Sequence, residues 1–453
     1  MEIKNRKIAV AGMGKTGVDT AFFLAKRGAL VYVTENAATE QVKKSAAELE
    51  TKGIRTEIGG HTEKFMEGAE LLVSSPGVPD KSLPIMYAEN RKIPVISEIE
   101  LAFAFSPTKK IIAVTGTDGK TTTTALTGAI FMKAGLPSVV CGNIGNTFIG
   151  ELDRLDADTW VVLEISSFQL EKTRTFRPLV ACLLNIAEDH FDRHLSMENY
   201  VDAKKRVFAN QGMDNFAVLN HDDSYCRSIA RDLKSRKFFF SRENMIEKGV
   251  YLNGNVVFSN MSEDTGGIIE IDRTNLWGKG NSENVMASVL TGLICGIDRN
   301  TIREAVYEFT PLPHRLEKVA EIKGVLFIND SKSTNPHSVI NALSSIEEKN
   351  NAILIMGGQN KDISFLSVIP HFKNRVKLLV LLGEAKEFLQ AEFKNCKIPV
   401  RPVNSMEEAV RIGFKNASSG DIVLLSPGCA SFDMFRNYKE RGDAFKKAVN
   451  SSL

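Results

Sequence analysis

The chain has 453 residues, 43% of them hydrophobic and 25% charged, and a formal net charge of +2. At roughly 150 residues per domain, that length needs about three cores rather than one. So even a charge balance gives no electrostatic case for nucleic acid or a membrane surface, and no apolar run approaches the ~20 residues of a membrane span.

The opening stretch, Met1–Lys7, leads straight into a short apolar strand with no signal-peptide core. Six cysteines, at 141, 182, 226, 295, 396 and 429, form no CxxC pair. This usage predicts reduced thiols in a cytoplasmic protein.

In chain order, Lys7–Ala11 reads as a strand, Gly17–Arg27 as an amphipathic helix, Leu30–Thr34 as a strand and Thr39–Lys52 as a helix. Leu71–Ser74 and Val95–Ile96 continue a βαβ series, which implies a parallel sheet. Ser106-Pro107-Thr108 is the natural linker, because the residue before a proline avoids helix. A second series begins with strand Ile111–Thr115 and helix Thr121–Ala134, and adds strands Trp160–Glu164 and Val180–Asn185. Asn253-Gly254-Asn255 between two apolar runs signals a hairpin, and helical patterning returns at Glu283–Cys295 and Thr301–Glu308. After Pro311-Leu312-Pro313 a third series places strands at Val325–Asn329, Ala352–Met356, Leu378–Leu382 and Asp421–Ser426. The expected fold is α/β, with three consecutive α/β domains. These are a Rossmann-like domain over 1–106, a central P-loop ATPase domain with a parallel sheet over 107–312, and a Rossmann-like domain over 313–453.

The strongest chemical signal is the turn Gly116-Thr117-Asp118-Gly119-Lys120-Thr121-Thr122 between the strand at 111–115 and its helix. Glycines let successive N–H groups converge on an anion, the helix N-terminus adds its dipole and a lysine adds full charge. A hydroxyl directly after that lysine suits Mg²⁺ bridging two phosphates. The full pattern wants a glycine where Val114 stands, so this is a shortened phosphate loop. The ligand-free alternative is a structural turn.

Glu164 ends one neighbouring strand, and Asn185-Ile186-Ala187-Glu188-Asp189-His190 follows another. Ligands collect at the carboxyl ends of strands in such sheets, so a carboxylate, an imidazole and phosphates can jointly hold a divalent metal there. His190 and His194 also have a spacing that zinc uses on a helix, with no third ligand nearby. Asp189 and Asp192 read equally well as solvated loop charges. In the first domain, Gly12-Met13-Gly14-Lys15-Thr16-Gly17 with Glu35 at the next strand's end matches a dinucleotide fingerprint. Another diphosphate would use the same geometry. The rival reading is an NAD-dependent dehydrogenase, for which a second phosphate loop and a third domain are surplus.

Taken together these motifs resemble the muramyl ligase family over essentially the whole chain. The resemblance is carried by Gly116–Thr122, Gly142-Asn143-Ile144-Gly145, Leu163–Glu171, Asn185–Arg193, Leu312–Arg315, Asn329–Asn335, Gly357–Lys361 and Leu425–Gly442. The middle motifs are shared with sister ligases and with folate-type glutamate ligases. Ser75-Pro76-Gly77 and Ser426–Asp433 resemble the member that adds D-glutamate.

The resemblance implies an ATP-dependent ligase of peptidoglycan precursor synthesis, joining D-glutamate to UDP-N-acetylmuramoyl-L-alanine through an acyl phosphate. Two Mg²⁺ sites, a cytoplasmic monomer and closure of the domains on ligand are implied with it. It implies that Lys120 holds the γ-phosphate and that Thr121, Glu164, His190 and a carbamylated Lys204 hold metal. Asn281, Asn284, Arg315, Asp330 and Lys332 match nucleotide contacts, together with the phosphate loop. Asn143 matches a contact to the nucleotide sugar, and Lys15, Thr16, Asn36 and Ser75 are candidates for the rest of that substrate. Thr334, Lys361, Ser431 and Phe432 match the D-glutamate pocket. Asp118 stands where the family usually has asparagine, and Gly280 where a histidine is common. Lys205 beside Lys204 leaves the register of the carbamate to be tested.

Overall fold

The computed structural model describes residues 1–189, 191–261, 264–360 and 363–452. The chain forms two compact units, Met1–Ile269 with Asn284–Val306, and Glu270–Glu283 with Tyr307 onward.

The first unit contains two sheets. In the first, strands Lys7–Ala11 (β1), Leu30–Glu35 (β2), Arg55–Ile58 (β3), Leu71–Ser74 (β4) and Val95–Ser97 (β5) run parallel in the order β3-β2-β1-β4-β5. β1 and β4 are central, and their residues Ile8–Ala11 and Leu71–Val73 are buried and apolar, as a strand covered by helices on two faces requires. The order reverses between them, so a crevice opens beyond Ala11 and Ser74.

The second sheet holds Ile111–Thr115 (β6), Ser138–Gly142 (β7), Trp160–Glu164 (β8), Val180–Leu183 (β9), Phe216–Asn220 (β10), Arg236–Ser241 (β11), Gly249–Asn253 (β12), Val256–Met261 (β13) and Asp264–Glu270 (β14). Its order is β14-β13-β12-β11-β10-β9-β6-β8-β7. It is parallel from β7 through β12, and the expected hairpin pairs β12 with β13 antiparallel, Asn253 opposite Val256. β6 lies between β8 and β9, so the ends of these three strands meet at one switch point. The helix after β6 spans Lys120–Lys133, one residue earlier at each end than its pattern suggests.

The second unit carries Glu317–Ile322 (β15), Val325–Asn329 (β16), Ala352–Gly357 (β17), Val376–Leu382 (β18), Val400–Pro402 (β19) and Ile422–Gly428 (β20), in the order β15-β16-β20-β17-β18-β19. β20 returns between β16 and β17, parallel to both, and the three are almost wholly buried. Only β15, a half-polar edge strand, pairs antiparallel. The ends of β16, β17 and β20 therefore present three adjacent loops. No described helix is long and apolar enough to cross a membrane.

Candidate functional site

At the first crevice Gly12 is left-handed (φ +96°), and a Cβ on Gly17 would lie 1.9 Å from the Gly12 carbonyl oxygen. Only glycine permits that turn. Glu35 is not free for a ribose hydroxyl: Met13 N–H donates to its Oε2 at 3.0 Å and Ala37 N–H to its Oε1 at 2.9 Å. The acid braces two loops, which weakens the dehydrogenase reading at the residue it needs. Ser75 Oγ is buried against the glycine turn without a hydrogen-bond partner. Lys15 Nζ donates to Gly145 O at 2.8 Å and Asn146 Oδ1 at 2.9 Å, tying the glycine turn to the loop after β7. Thr16 is half-buried beside it and Asn36 is exposed.

The phosphate loop is held from three sides. Asn185 Oδ1 accepts from Thr117 N–H at 3.1 Å and Asp118 N–H at 2.8 Å, which fixes the turn's amides. Tyr200, on the helix Met197–Lys205, places its hydroxyl 3.2 Å from Thr117 Oγ1. One turn further along, Lys204 Nζ donates to Gly116 O at 2.7 Å. Lys120 folds onto the same loop, donating to Gly116 O at 2.9 Å and Thr117 O at 2.7 Å. Gly119 is left-handed (φ +78°), and a Cβ there would meet Asn284 Oδ1 at 2.1 Å, so Asn284 packs directly on the loop. Thr121 and Thr122 follow on the first turn of the helix.

Two amines sharing one carbonyl is an unusual arrangement. Lys204 is only 1% exposed, and burial, followed by the charge of Lys120, holds its amine well below the usual lysine range. Asp189 and Asp118 oppose that shift, which gives Asp118 an electrostatic consequence at this position. Lys205 is half-exposed and pairs with Asp232 at 3.3 Å, so Lys204 alone occupies the site register.

Glu164 is 2% exposed at the end of β8. Its Oε1 accepts from Asn143 Nδ2 at 2.7 Å, while Oε2 is buried with no partner. A bare carboxylate oxygen near a phosphate loop is the donor a hard divalent cation takes. His190 lies outside the described residues, as do the side chains of Phe191 and Asp192. The zinc alternative loses a ligand: His194 Nε2 is 2.9 Å from Ser167 Oγ and its Nδ1 is 3.0 Å from Glu171 Oε1. Among the described residues no group of three His, Cys, Asp or Glu is arranged for a metal.

In the second unit, Asp330 is buried and accepts from Ser333 Oγ (2.5 Å), Ser426 Oγ (3.1 Å) and Leu316 N–H (3.2 Å). Burial pushes its carboxyl up to about 6 against those bonds. Lys332 lies 4.3 Å over the Tyr438 ring, and burial, then Arg315 and Lys439, lower its amine. Arg315, Asp330 and Lys332 thus share one corner. Asn281 Nδ2 donates to Trp277 O at 2.7 Å. Thr334 is half-buried and Ser431 buried, and neither side chain has a hydrogen-bond partner among the described residues. Phe432 is 65% exposed, and Lys361 lies outside the described residues.

Sequence reasoning passed over Asn185 and Tyr200 as site residues. Tyr200 carries a legible signal, since it precedes Lys204 by four residues on one helix face.

A shortened phosphate loop with a bare carboxylate beside it, on the middle of three α/β domains, marks an enzyme that uses ATP. Residues 6–97 match the family model of the Mur ligase MurD-like N-terminal domain, 114–292 that of the Mur ligase middle domain, and 314–429 that of the Mur ligase glutamate ligase domain. The chain belongs to the Mur ligase family. Two curated relatives are each described as a UDP-N-acetylmuramoylalanine--D-glutamate ligase. One, from Pelotomaculum thermopropionicum, is 41% identical over 99% of this chain and 98% of its own. The other, from Geobacter sp. (strain M21), is 43% identical over 100% and 99%. The solved UDP-N-acetylmuramate-alanine ligase MurC from Thermotoga maritima shares the fold, with a TM-score of 0.59 at 18% identity over 99% of this chain and 100% of that one.

Proposed function

We propose that this chain is the ATP-dependent ligase that joins D-glutamate to UDP-N-acetylmuramoyl-L-alanine in peptidoglycan precursor synthesis, acting in the cytoplasm as a monomer. The observation that carries the chemistry is the buried, partnerless Oε2 of Glu164 near a loop to which two lysines, Lys120 and Lys204, donate. The division of labour follows the three domains, 1–106 for the UDP-sugar, 107–312 for ATP, and 313–453 for D-glutamate and the remaining nucleotide contacts.

The substrate carboxylate attacks the γ-phosphorus, the bond to the bridging oxygen breaks, and ADP leaves. The D-glutamate amine then attacks the acyl carbon, phosphate departs and the amine's proton passes to solvent. Lys120 moves from its own loop carbonyls to the γ-phosphate and neutralises charge there. Gly116–Thr122 cradle the phosphates with the amides that Asn185 does not hold, on a turn whose Thr117 and Asp118 amides are tied to Asn185 and whose Thr117 hydroxyl meets Tyr200. Asn143 fixes Glu164 and faces the acyl end of the sugar nucleotide, with Ser75, Lys15, Thr16 and Asn36 taking the rest. Asn281, Asn284, Arg315, Asp330 and Lys332 contact the nucleotide, and Thr334, Lys361, Ser431 and Phe432 the D-glutamate.

Glu164 Oε2, Thr121, His190 and Lys204 would hold two Mg²⁺ ions, which supply charge neutralisation of the phosphates. An ammonium at Lys204 would repel a cation. A buried amine kept unprotonated can attack CO₂ and release one N–H proton to solvent, and the resulting carbamate offers anionic oxygens instead. The test is phosphate release with UDP-N-acetylmuramoyl-L-alanine, ATP and Mg²⁺. D-glutamate should drive it and L-glutamate should not; an equal response to both isomers removes the assignment.

A further inference from the structure

The loops beyond β16 and β20 carry Thr334 and Ser431, and one buried side chain bonds to both loops and to the last residue of β17. Arg441, in the helix Tyr438–Ser452, is 2% exposed. Its Nε donates to Ser331 Oγ at 3.0 Å and its Nη2 to Ser331 O at 2.9 Å, both in the loop after β16. Its Nη1 donates to Cys429 O at 2.9 Å and Ala430 O at 3.2 Å, in the loop after β20, and lies 3.4 Å from Gly357 O at the end of β17. Among the described residues no carboxylate pairs with it, so its fork is spent on backbone carbonyls and one hydroxyl. Burial brings its guanidinium down to about 10, which leaves it charged at neutral pH. The loops close tightly around it: a Cβ on Gly358 would lie 2.2 Å from Ala430 O and 3.0 Å from Arg441 Nη1.

A carbonyl drawn to Arg441 turns its peptide, and a trans peptide points its N–H the opposite way. Ala430 O accepts from Gln359 N–H at 2.9 Å as well as from Arg441, so the two together set this peptide; Ser431 N–H stands at its other end and has no partner among the described residues. We infer that Arg441 is a positioning residue of the amino-acid pocket, locking the loops after β16 and β20 against the end of β17 and, with Gln359 N–H, holding the Ser431 amide outward to a substrate carboxylate. The inference rests on the pocket proposed above. A lysine keeps the charge at this position but not the planar fork that reaches both loops and the end of β17. Asp330 depends on Arg441 less than Ser431 does, because Leu316, Ser333 and Ser426 hold it separately.

The test uses the full chain and compares Arg441→Lys with the milder Ser331→Ala. KM for D-glutamate, for ATP and for the UDP-sugar are measured separately, with Trp277 emission in a Trp160→Phe background reporting that the second unit is folded. Arg441→Lys should raise KM for D-glutamate roughly 10- to 100-fold, the scale of one or two lost charged hydrogen bonds, and leave the other two within about twofold. Ser331→Ala should raise the same constant by about threefold. If all three constants rise together, or only kcat falls, Arg441 is merely structural and the inference is overturned. Thr334→Ala and Ser431→Ala separate the two levels. If they raise KM for D-glutamate and Arg441→Lys does not, the pocket stands and the role of Arg441 fails. If they leave it unchanged, the pocket is misplaced and the inference falls with it.

Discussion

Glu98 opens the helix Glu98–Phe105 and is buried, with Oε1 accepting from Ile149 N–H at 2.7 Å and Oε2 unpartnered. It joins the first sheet's last helix to the short helix Phe148–Glu151 of the second. Burial pushes its carboxyl from 4.5 up to about 7, with Asp19 adding to the rise and the Ile149 amide opposing it. The folded chain therefore keeps a proton that the unfolded chain releases, and stability falls as pH rises from about 4.5 to 7. The gap corresponds to about 3 kcal/mol in total, of which roughly 2–3 kcal/mol accumulates between about pH 5 and pH 8. Glu98→Gln removes that titration. Its amide nitrogen, standing where Oε2 lacked a partner, costs about 1–3 kcal/mol at either pH and so cancels from the difference. The measurement is urea unfolding followed by Trp160 emission in a Trp277→Phe background, for the parent and the Glu98→Gln chain at both pH values. The mutant-minus-parent stability should move by roughly 2–3 kcal/mol in the mutant's favour at the higher pH. Parallel pH profiles for the two chains would refute the reasoning.

Lys204→Ala should lower ligation about a hundredfold or more, and short carboxylic acids should partly restore it, whereas Lys205→Ala should stay within about twofold; full activity in Lys204→Ala rules the carbamate out. Gly119→Ala combines a left-handed φ, costing about 1–2 kcal/mol, with a Cβ 2.1 Å from Asn284 Oδ1. It should lower urea stability by at least about 1–2 kcal/mol and weaken ATP use at least about tenfold, and unchanged steady-state kinetics would contradict the packing described. Tyr200→Phe removes one hydroxyl bond to Thr117, worth about 1 kcal/mol, so kcat/KM should fall roughly fivefold; an unaltered value means the loop is fixed without it.

Strands β1, β4, β6, β8 and β16 have the limits their sequences suggest, because each is an unbroken apolar run ended by glycine or a polar turn. Strands β7 and β11 were not legible. In each the apolar core is a three-residue run beside polar or charged residues, and pairing with a neighbouring strand decides its structure. The phosphate loop was legible because it is contiguous. Lys204 was legible only by resemblance, since an isolated lysine on a helix reads as a solvated charge. Arg441 left no pattern because nearly all its partners are carbonyls, which every residue has.

Each sheet leaves a buried or near-buried polar group bare at its switch point: Ser75 Oγ at the first, Glu164 Oε2 at the second and Ser431 N–H at the third. An unmade hydrogen bond of this kind costs about 1–3 kcal/mol, and folding alone does not offset it. Both oxygens of Glu35 and both nitrogens of His194 are engaged, whereas Thr115 Oγ1 at the end of β6 and Asp433 Oδ1 are bare like these three, which are set apart by position rather than by rarity. They fall at the three places where a sugar nucleotide, a metal-bound phosphate and an amino acid are proposed to sit. Replacing Ser75 or Glu164 by an apolar side chain of similar size would relieve the bare group while removing the ligand contact. Ser75→Ala should therefore leave thermal stability equal or slightly raised and increase KM for the UDP-sugar alone; a loss of stability would mean that Ser75 serves the fold instead.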